Sequence, residues 1–266
     1  MVFPPYFWLL FAVAILISAI GFKKYIWFIS LGYGFSIAGE GIFMLILFGL
    51  NKSLTLGTTL CCALLTLYGC RLGGYLAYRE LKIASYNRNL AGEVKQDVPM
   101  GVKVAIWIVC AMLYVLEVLP VFYRLFNGSG SNVWTYIGFA VMVCGVILES
   151  AADLQKSRAK KLNPKRFVDT GLYRLVRCPN YLDEMLFWTG VILSGIGSVQ
   201  GWQWLMCLIG YISIIFVMFS GARRLEIRQN KNYGSDPEYQ KYVKSVPILV
   251  PFIPLYSVEK YKWLVA

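Results

Sequence analysis

Four side chains in the first third of the chain could do chemistry where their surroundings are otherwise apolar. Glu40 lies in Ala38-Gly39-Glu40-Gly41, in the middle of a hydrophobic run. A carboxyl there costs about 2.5–3.5 kcal/mol on insertion scales, so it must face protein or a wet cavity and find a partner. Glycines 39 and 41 let another group approach it closely. Further on, Tyr68, Arg71 and Tyr75 recur at spacings of three and four and share one helical face. Arg71 is the natural counter-charge for the acid. Tyr78 fits an interfacial belt of aromatics, whereas Tyr68 sits deeper. A phenol with a carboxyl beside it can donate to a carbonyl oxygen and stabilise negative charge that develops there.

The chain has no histidine. That removes Ser-His and Cys-His nucleophiles and every His-ligated metal site, and leaves acid–base work to Tyr, Glu, Asp, Lys or Cys. Of seven cysteines, all but Cys178 fall inside apolar runs and none forms a Cys-x-x-Cys pair, so they read as small packing residues. No metal site is expected.

The elements that must position these groups are membrane helices. The 266 residues are 58% hydrophobic and only 15% charged, outside the usual range for a water-soluble domain. Seven apolar runs are long enough to count as crossings, at 5–20, 25–50, 54–77, 104–126, 133–148, 181–197 and 202–220. They are too long and too evenly apolar for barrel strands, so the expected fold is all-α, a polytopic membrane protein of seven transmembrane helices. The first run lacks a basic lead-in and an Ala-x-Ala-like exit, and reads as a retained helix. One membrane domain is expected, with helices of 1–126 lining a lipid pocket and 127–266 supplying further helices, a loop and a cytosolic tail.

Charge sets the orientation. All but three of the 26 Lys and Arg fall in alternate loops: Lys23 and Lys24; Arg79, Lys82, Arg88, Lys95 and Lys103; eight bases between Lys156 and Arg177; and eight between Arg223 and Lys262. Lys52 and Arg124 are left to the other face and Arg71 to the third run. This segregation predicts an N-terminus outside and a C-terminus in the cytosol. The last two segments hold more positive charge than orientation needs, which points to a polyanion such as a nucleotide cofactor or anionic headgroups. Nucleic acid is disfavoured, because these segments flank membrane helices and carry no binding module. The tail reads as a continuing helix, a turn at Gly234-Ser235-Asp236-Pro237, a short helix over 238–244 and a proline-punctuated end.

The stretch from Thr170 to Glu184 is the most informative. Asn180 can cap the sixth helix, Pro179 stops the incoming chain from being helical, and Arg174 and Arg177 stand just before free backbone amides that favour an anion. Gly171-Leu172-Tyr173-Arg174 followed by Arg177-x-Pro179-Asn180-Tyr181-x-x-Glu184 resembles the signature Gly-Leu-aromatic-Arg-x-x-Arg-His-Pro-Asn-Tyr-x-Gly-Glu of the membrane steroid 5α-reductase-like family, to which the isoprenylcysteine carboxyl methyltransferases are more distantly related. Asp153-Leu154-Gln155-Lys156, Arg71-Leu72-Gly73-Gly74 with Arg79, Glu238-Tyr239-x-x-Tyr242 and Pro251-Phe252-Ile253-Pro254 add to the likeness. Cys178 stands where the family has His, and Asp183 where it has Gly.

The resemblance implies a reductase that binds NADPH at its cytosolic face and transfers hydride to the C=C of a lipidic enone such as a 3-oxo-Δ4-steroid. It implies that Glu40 and Tyr68 are catalytic and that Arg71 and Tyr75 bind substrate. Arg79, Asp153, Lys156, Arg174, Arg177, Asn180, Tyr181, Glu184, Arg223, Arg228, Tyr239 and Tyr242 would surround the cofactor. No Gly-x-Gly-x-x-Gly follows a strand, so the nucleotide would not be held in Rossmann fashion. The membrane would be endoplasmic reticulum in a eukaryote and the inner membrane in a bacterium. Two other readings share parts of the pattern: a methyltransferase using S-adenosylmethionine, and a non-catalytic lipid-binding protein.

Overall fold

The computed structural model describes residues 1–82 and 98–264, with the backbone alone at 81 and 82. The loop bases Arg88 and Lys95 and the side chain of Lys82 lie outside the described residues. Within them every regular element is helical: α1 (Pro5–Ser18), two 3-10 turns (Ala19–Phe22 and Tyr25–Phe28), α2 (Leu31–Leu50), α3 (Leu56–Lys82), α4 (Met100–Phe126), α5 (Val133–Leu162), a 3-10 turn (Gly171–Arg174), α6 (Pro179–Ser194), α7 (Trp202–Tyr233) and α8 (Pro237–Ser245). Local chemistry sets several ends. Pro99 stands at the N-cap of α4, and the Asp236 carboxylate accepts the Glu238 amide and starts α8 at the predicted turn.

Six helical stretches are long and apolar enough to cross a membrane: Pro5–Phe22, Tyr25–Leu50, Leu56–Glu80, Met100–Phe126, Val133–Leu162 and Trp202–Tyr233. The run at 181–197 folds as α6, which has 16 residues. At 1.5 Å per residue that is about 24 Å, short of a hydrocarbon layer of about 30 Å. Its last turn tightens, because the Gly195 and Ile196 amides donate to the carbonyls three residues back.

The helices pack as two compact units, one comprising Met1–Phe139 and Val191–Tyr211, the other Ala140–Gly190 and Ile212–Ala266. In the first, α2 and α3 lie antiparallel and meet through glycine. A Cβ placed on Gly69 would come within 2.4 Å of the Ala38 nitrogen and the Gly34 oxygen, and one on Gly34 within 2.6 Å of the Gly73 nitrogen. Only a residue without a side chain fits these points, as is usual where helices associate without water to expel. The contact continues at Gly41, whose Cβ would come within 2.9 Å of the Cys62 oxygen and the Thr66 nitrogen.

Arg124 on α4 fixes the other end of this unit. It is 1% exposed, and its three guanidinium nitrogens donate to the carbonyls of Ser194, Gly130 and Ile196, each at 2.6 Å. Two of those carbonyls lie where α6 ends, the negative pole of a helix. Asn127, Asn132 and Gln203 continue the network onto Ser198 and Ile196. Arg124 is thus a structural clamp, which explains one of the few bases on that side of the chain.

Substitution Gly69→Val is expected to destabilise the protein by about 1–3 kcal/mol through overpacking against α2, read as a lower thermal midpoint in detergent, whereas Gly74→Ala, where no atom lies within 4 Å, leaves the midpoint unchanged. Replacing Arg124 by Met leaves three carbonyls without their donor; a loss of about 3 kcal/mol or more is expected in the same assay, and little of it is recovered by Lys, whose single nitrogen cannot span the fork.

Candidate functional site

The chemistry-bearing residues of α2 and α3 come together inside the first unit. The register that sets Ala38 against Gly69 and Gly41 against Thr66 puts the Glu40 and Tyr68 backbones within one helical turn of the same level. Both side chains are 0% exposed. The Tyr68 hydroxyl lies 3.1 Å from that of Tyr33, seven residues before Glu40 on α2. Tyr33 in turn packs on Tyr114 of α4, with ring centroids 5.3 Å apart, and the Tyr114 hydroxyl donates to the Phe28 carbonyl at 2.6 Å. Glu117, one turn beyond Tyr114, is buried beside them.

Neither carboxyl oxygen of Glu40 has a hydrogen-bond partner among the described residues. The expected pairing with Arg71 is not formed. Arg71 lies over the Tyr75 ring at 6.0 Å, and Arg79 lies over the same ring at 5.5 Å, so Tyr75 carries a cation on each side one helical turn away. The reason is spacing. Arg71, Tyr75 and Arg79 are four apart on α3, so both guanidinium groups reach an aromatic face on their own helix. At the next turn Glu80 pairs with Lys24 and accepts from the Trp27 indole, tying the segment between α1 and α2 to α3. Lys24, one of the orienting bases, is therefore also a structural one.

In the second unit the segment between α5 and α6 is built around Asn180. Its side chain donates to Asp153 at 2.6 Å and accepts from the Tyr173 hydroxyl at 2.9 Å. Asn180 therefore does not cap α6. Cys178 holds that place, its carbonyl accepting the amides of Tyr181 and Leu182, with Pro179 as first residue of the helix. Gly171 takes φ +62 so that the chain can turn where Gln155 crowds it, and the Gln155 side chain accepts the Leu172 amide at 2.8 Å. The Tyr242 hydroxyl donates to the Tyr173 carbonyl at 2.7 Å, and Tyr239 donates to Asn230 at 2.8 Å. Burial first, and the negative charge of Asp153 second, push the Tyr173 phenol up from its ordinary value, and burial does the same for Tyr242. Both remain donors at neutral pH.

Arg177 is 2% exposed and pairs with Glu226 of α7 at 2.8 Å; the same nitrogen donates to the Tyr256 carbonyl. Glu226 also accepts the Val258 amide at 2.9 Å, so this one buried pair holds the tail. Nε and Nη1 of Arg177 have no partner among the described residues. Arg223 is occupied by the tail as well, donating to the carbonyls of Glu259 and Leu264. Arg174, Arg224 and Arg228 are exposed, Lys156 and Tyr181 are half-buried, and Asp183 and Glu184 are buried.

The structure thus gathers Glu40 and Tyr68 with their neighbours in the first unit and Asp153, Tyr173, Asn180, Arg177 and Tyr242 in the second. Arg79 falls in the first unit, and the other residues grouped with the cofactor fall in the second. Three participants escaped sequence reasoning. Tyr33 had a signal, because it lies two turns before Glu40 on one face. Glu226 had a weaker one, as an acid among arginines on the polar extension of α7. Tyr114 reads as one aromatic among many.

Long apolar helices with polar groups turned inward define this chain as a helical, multi-pass integral membrane protein. Residues 21–246 match the family described as protein of unknown function DUF1295, and the chain belongs to that family. No curated protein and no solved structure matches it.

Cys178, in the place where the resembling signature has His, is 3% exposed among Ala222, Ile248, Leu249, Val258 and Leu264. Burial pushes its thiol up to about 12, Glu226 pushes the same way, and Arg177 and Lys156 oppose it. The folded chain keeps a proton that the unfolded chain releases. Its contribution to stability is therefore full below the ordinary thiol value of about 8.5 and is lost as pH rises toward about 12. Cys178 should resist alkylation by iodoacetamide at pH of about 9 in the folded protein and react once the chain is unfolded, read by mass spectrometry of its peptide.

Proposed function

We propose that the chain is a seven-helix membrane reductase, with its N-terminus outside and its C-terminus cytosolic, that uses NADPH to reduce the C=C of a lipidic enone such as a 3-oxo-Δ4-steroid. The observation that carries this reading is the fully buried Glu40 carboxyl, which has no hydrogen-bond partner among the described residues, at the level of a buried phenol that already touches a second phenol. Hydrogen-bonding capacity of that kind inside an apolar unit is costly unless a ligand uses it. The likeness of residues 171–184 to the reductase signature supplies the reaction class. The alternation of basic and base-poor loops supports the orientation, and with it α6 as a seventh, short crossing that a locally thinned bilayer accommodates.

What supports a phosphorylated nucleotide at the second unit is that two nitrogens of Arg177 are buried without a hydrogen-bond partner among the described residues, while Arg174, Arg224 and Arg228 are exposed. Asp153 and Asn180 would take the amide and ribose donors, with Lys156, Arg174, Arg177 and Arg228 answering the phosphates. When bound, NADPH supplies the hydride. The chain's own residues do the rest. Tyr68 donates to the carbonyl oxygen and stabilises the negative charge that grows there as the β-carbon is reduced. Tyr33 holds the rotor of that hydroxyl. Glu40 gives a second polar contact to the oxygen or to Tyr68, and the surrounding apolar helices keep water from the site.

The test uses the purified protein in nanodiscs with NADPH and an enone sterol, following loss of reduced-nicotinamide absorbance and the reduced product. Glu40→Gln and Tyr68→Phe should each lower turnover by about 100-fold or more, the loss of one oxyanion donor, with nucleotide affinity within about 2-fold of the parent. Full activity in both variants would overturn the active-site assignment. Methyl transfer from S-adenosylmethionine without nicotinamide oxidation would overturn the reaction.

A further inference from the structure

The tail beyond α8 presents apolar side chains in a place where the polarity of its neighbours gives no reason for them. Phe252 is 97% exposed, Trp263 64% and Ile253 52%. They are not loose ends. Ile248, Leu249, Val258 and Leu264 are buried in one cluster with Cys178 and Ala222, and Leu255 and Tyr261 pack against it. The segment is therefore held, and it is held with its aromatic rings outward.

Two observations say what covers them. Trp263 stacks on Phe216 of α7, with centroids 6.2 Å apart and planes at 28°. Phe216 lies within the stretch Trp202–Tyr233 that is apolar enough to span a membrane, and it is itself 39% exposed. It precedes Arg223, the first charge of that helix, by seven residues, or about 10 Å along the axis. The tail, clamped to Arg223 through the carbonyls of Glu259 and Leu264, thus returns toward the apolar part of α7. The second observation is the tip at 251–254. Phe252 adopts φ +66, a left-handed backbone that a phenylalanine rarely takes. Pro251 and Pro254 have no amide hydrogen, and the Ile253 and Leu255 amides donate to Val250 and Ile253. Most of the backbone donors at the tip are thus absent or already bonded, which lowers the cost of leaving water. Lys260 and Lys262 flank the aromatic residues on exposed positions, as basic side chains do beside an interfacial aromatic belt.

We propose that the segment from Pro247 to Leu264 is an interfacial anchor: Phe252, Ile253 and Trp263 enter the headgroup–acyl boundary of the leaflet at the C-terminal end of α7, and Lys260 and Lys262 pair with anionic headgroups above them. This goes beyond the proposed reductase activity and does not depend on it.

The test places a bimane label at Phe252→Cys in a background where the two exposed cysteines are removed by Cys70→Ser and Cys144→Ser. A second variant carries the label at Ser235→Cys, in the exposed turn before α8. Each is reconstituted in vesicles of phosphatidylcholine with or without one third phosphatidylglycerol, with bromine on the acyl chains as quencher. Quenching at 252 should exceed that at 235 by at least about 3-fold, and Lys260→Gln with Lys262→Gln should remove the gain from the anionic lipid. Equal quenching at the two positions, in vesicles of either composition, would overturn the insertion. Quenching at 252 that is indifferent both to phosphatidylglycerol and to the two lysines would overturn the headgroup pairing. Position 252 is almost wholly exposed, so labelling there does not disturb the packed cluster, and size-exclusion chromatography in detergent checks that each variant is folded.

Discussion

Helices that touch backbone to backbone leave no room between them for lipid or water, and the first unit is organised by such a contact. Gly34, Gly41 and Gly69 draw α2 and α3 together until a single methyl group would collide with main-chain atoms. At that distance the register cannot slip. The side chains that border the glycines are then fixed as well: Glu40 and Tyr68 fall at one level, and Tyr33 reaches the Tyr68 hydroxyl. The polar site is a by-product of the closeness, because a looser pair of helices would admit larger residues and let the carboxyl find a partner or leave the interior. The absence of such a partner for Glu40 is tolerable only because tight packing holds the acid in place.

The second unit solves a different problem, which is how to fasten a polar tail onto the end of an apolar helix. One buried ion pair does most of it. Glu226 receives the Arg177 guanidinium on one oxygen and the Val258 amide on the other, and Arg177 reaches the Tyr256 carbonyl. A pair taken out of water is stabilising only where its remaining hydrogen-bonding groups are also met. Glu226 meets that condition with a backbone amide, whereas Arg177 leaves two nitrogens over. Among the described residues the arginine is therefore the less satisfied member of the pair.

Much of this was legible in the sequence, for reasons that differ residue by residue. The helical class and most helix positions follow from run length alone, since an apolar stretch of twenty residues has few other fates. The start of α8 follows from Asp236 and Pro237, whose effects are local. What pattern reading missed depends on partners far apart in the chain. Arg71 read as the mate of Glu40 because each was charged within an apolar run; the Glu40 oxygens find no such mate among the described residues, and Arg71 lies over Tyr75 of its own helix. Arg177 read as an open anion-binding residue, and the acid that occupies it is 49 residues away. The 181–197 run is helical as read, and only its end differs, since α6 stops after Ser194. Asn180 read as a cap because its type favours one, yet the backbone of Cys178 takes that place and frees the amide to join Asp153 with Tyr173.

Cys178 shows how these levels combine. In the resembling signature a histidine stands here, and an imidazole needs a donor, an acceptor or water for each ring nitrogen. In this chain the position opens onto aliphatic side chains of α7 and the tail, while its own amide is bonded to the Ile248 carbonyl. A small side chain with a weakly polar hydrogen meets those surroundings, and a histidine would bring two polar nitrogens into them. The replacement is therefore coupled to the tail: as long as Ile248, Leu249, Val258 and Leu264 close over the start of α6, the residue before Pro179 must be small and largely apolar. The same closure buries Cys178, and the polar contacts at this turn fall to Asn180, Asp153 and Tyr173.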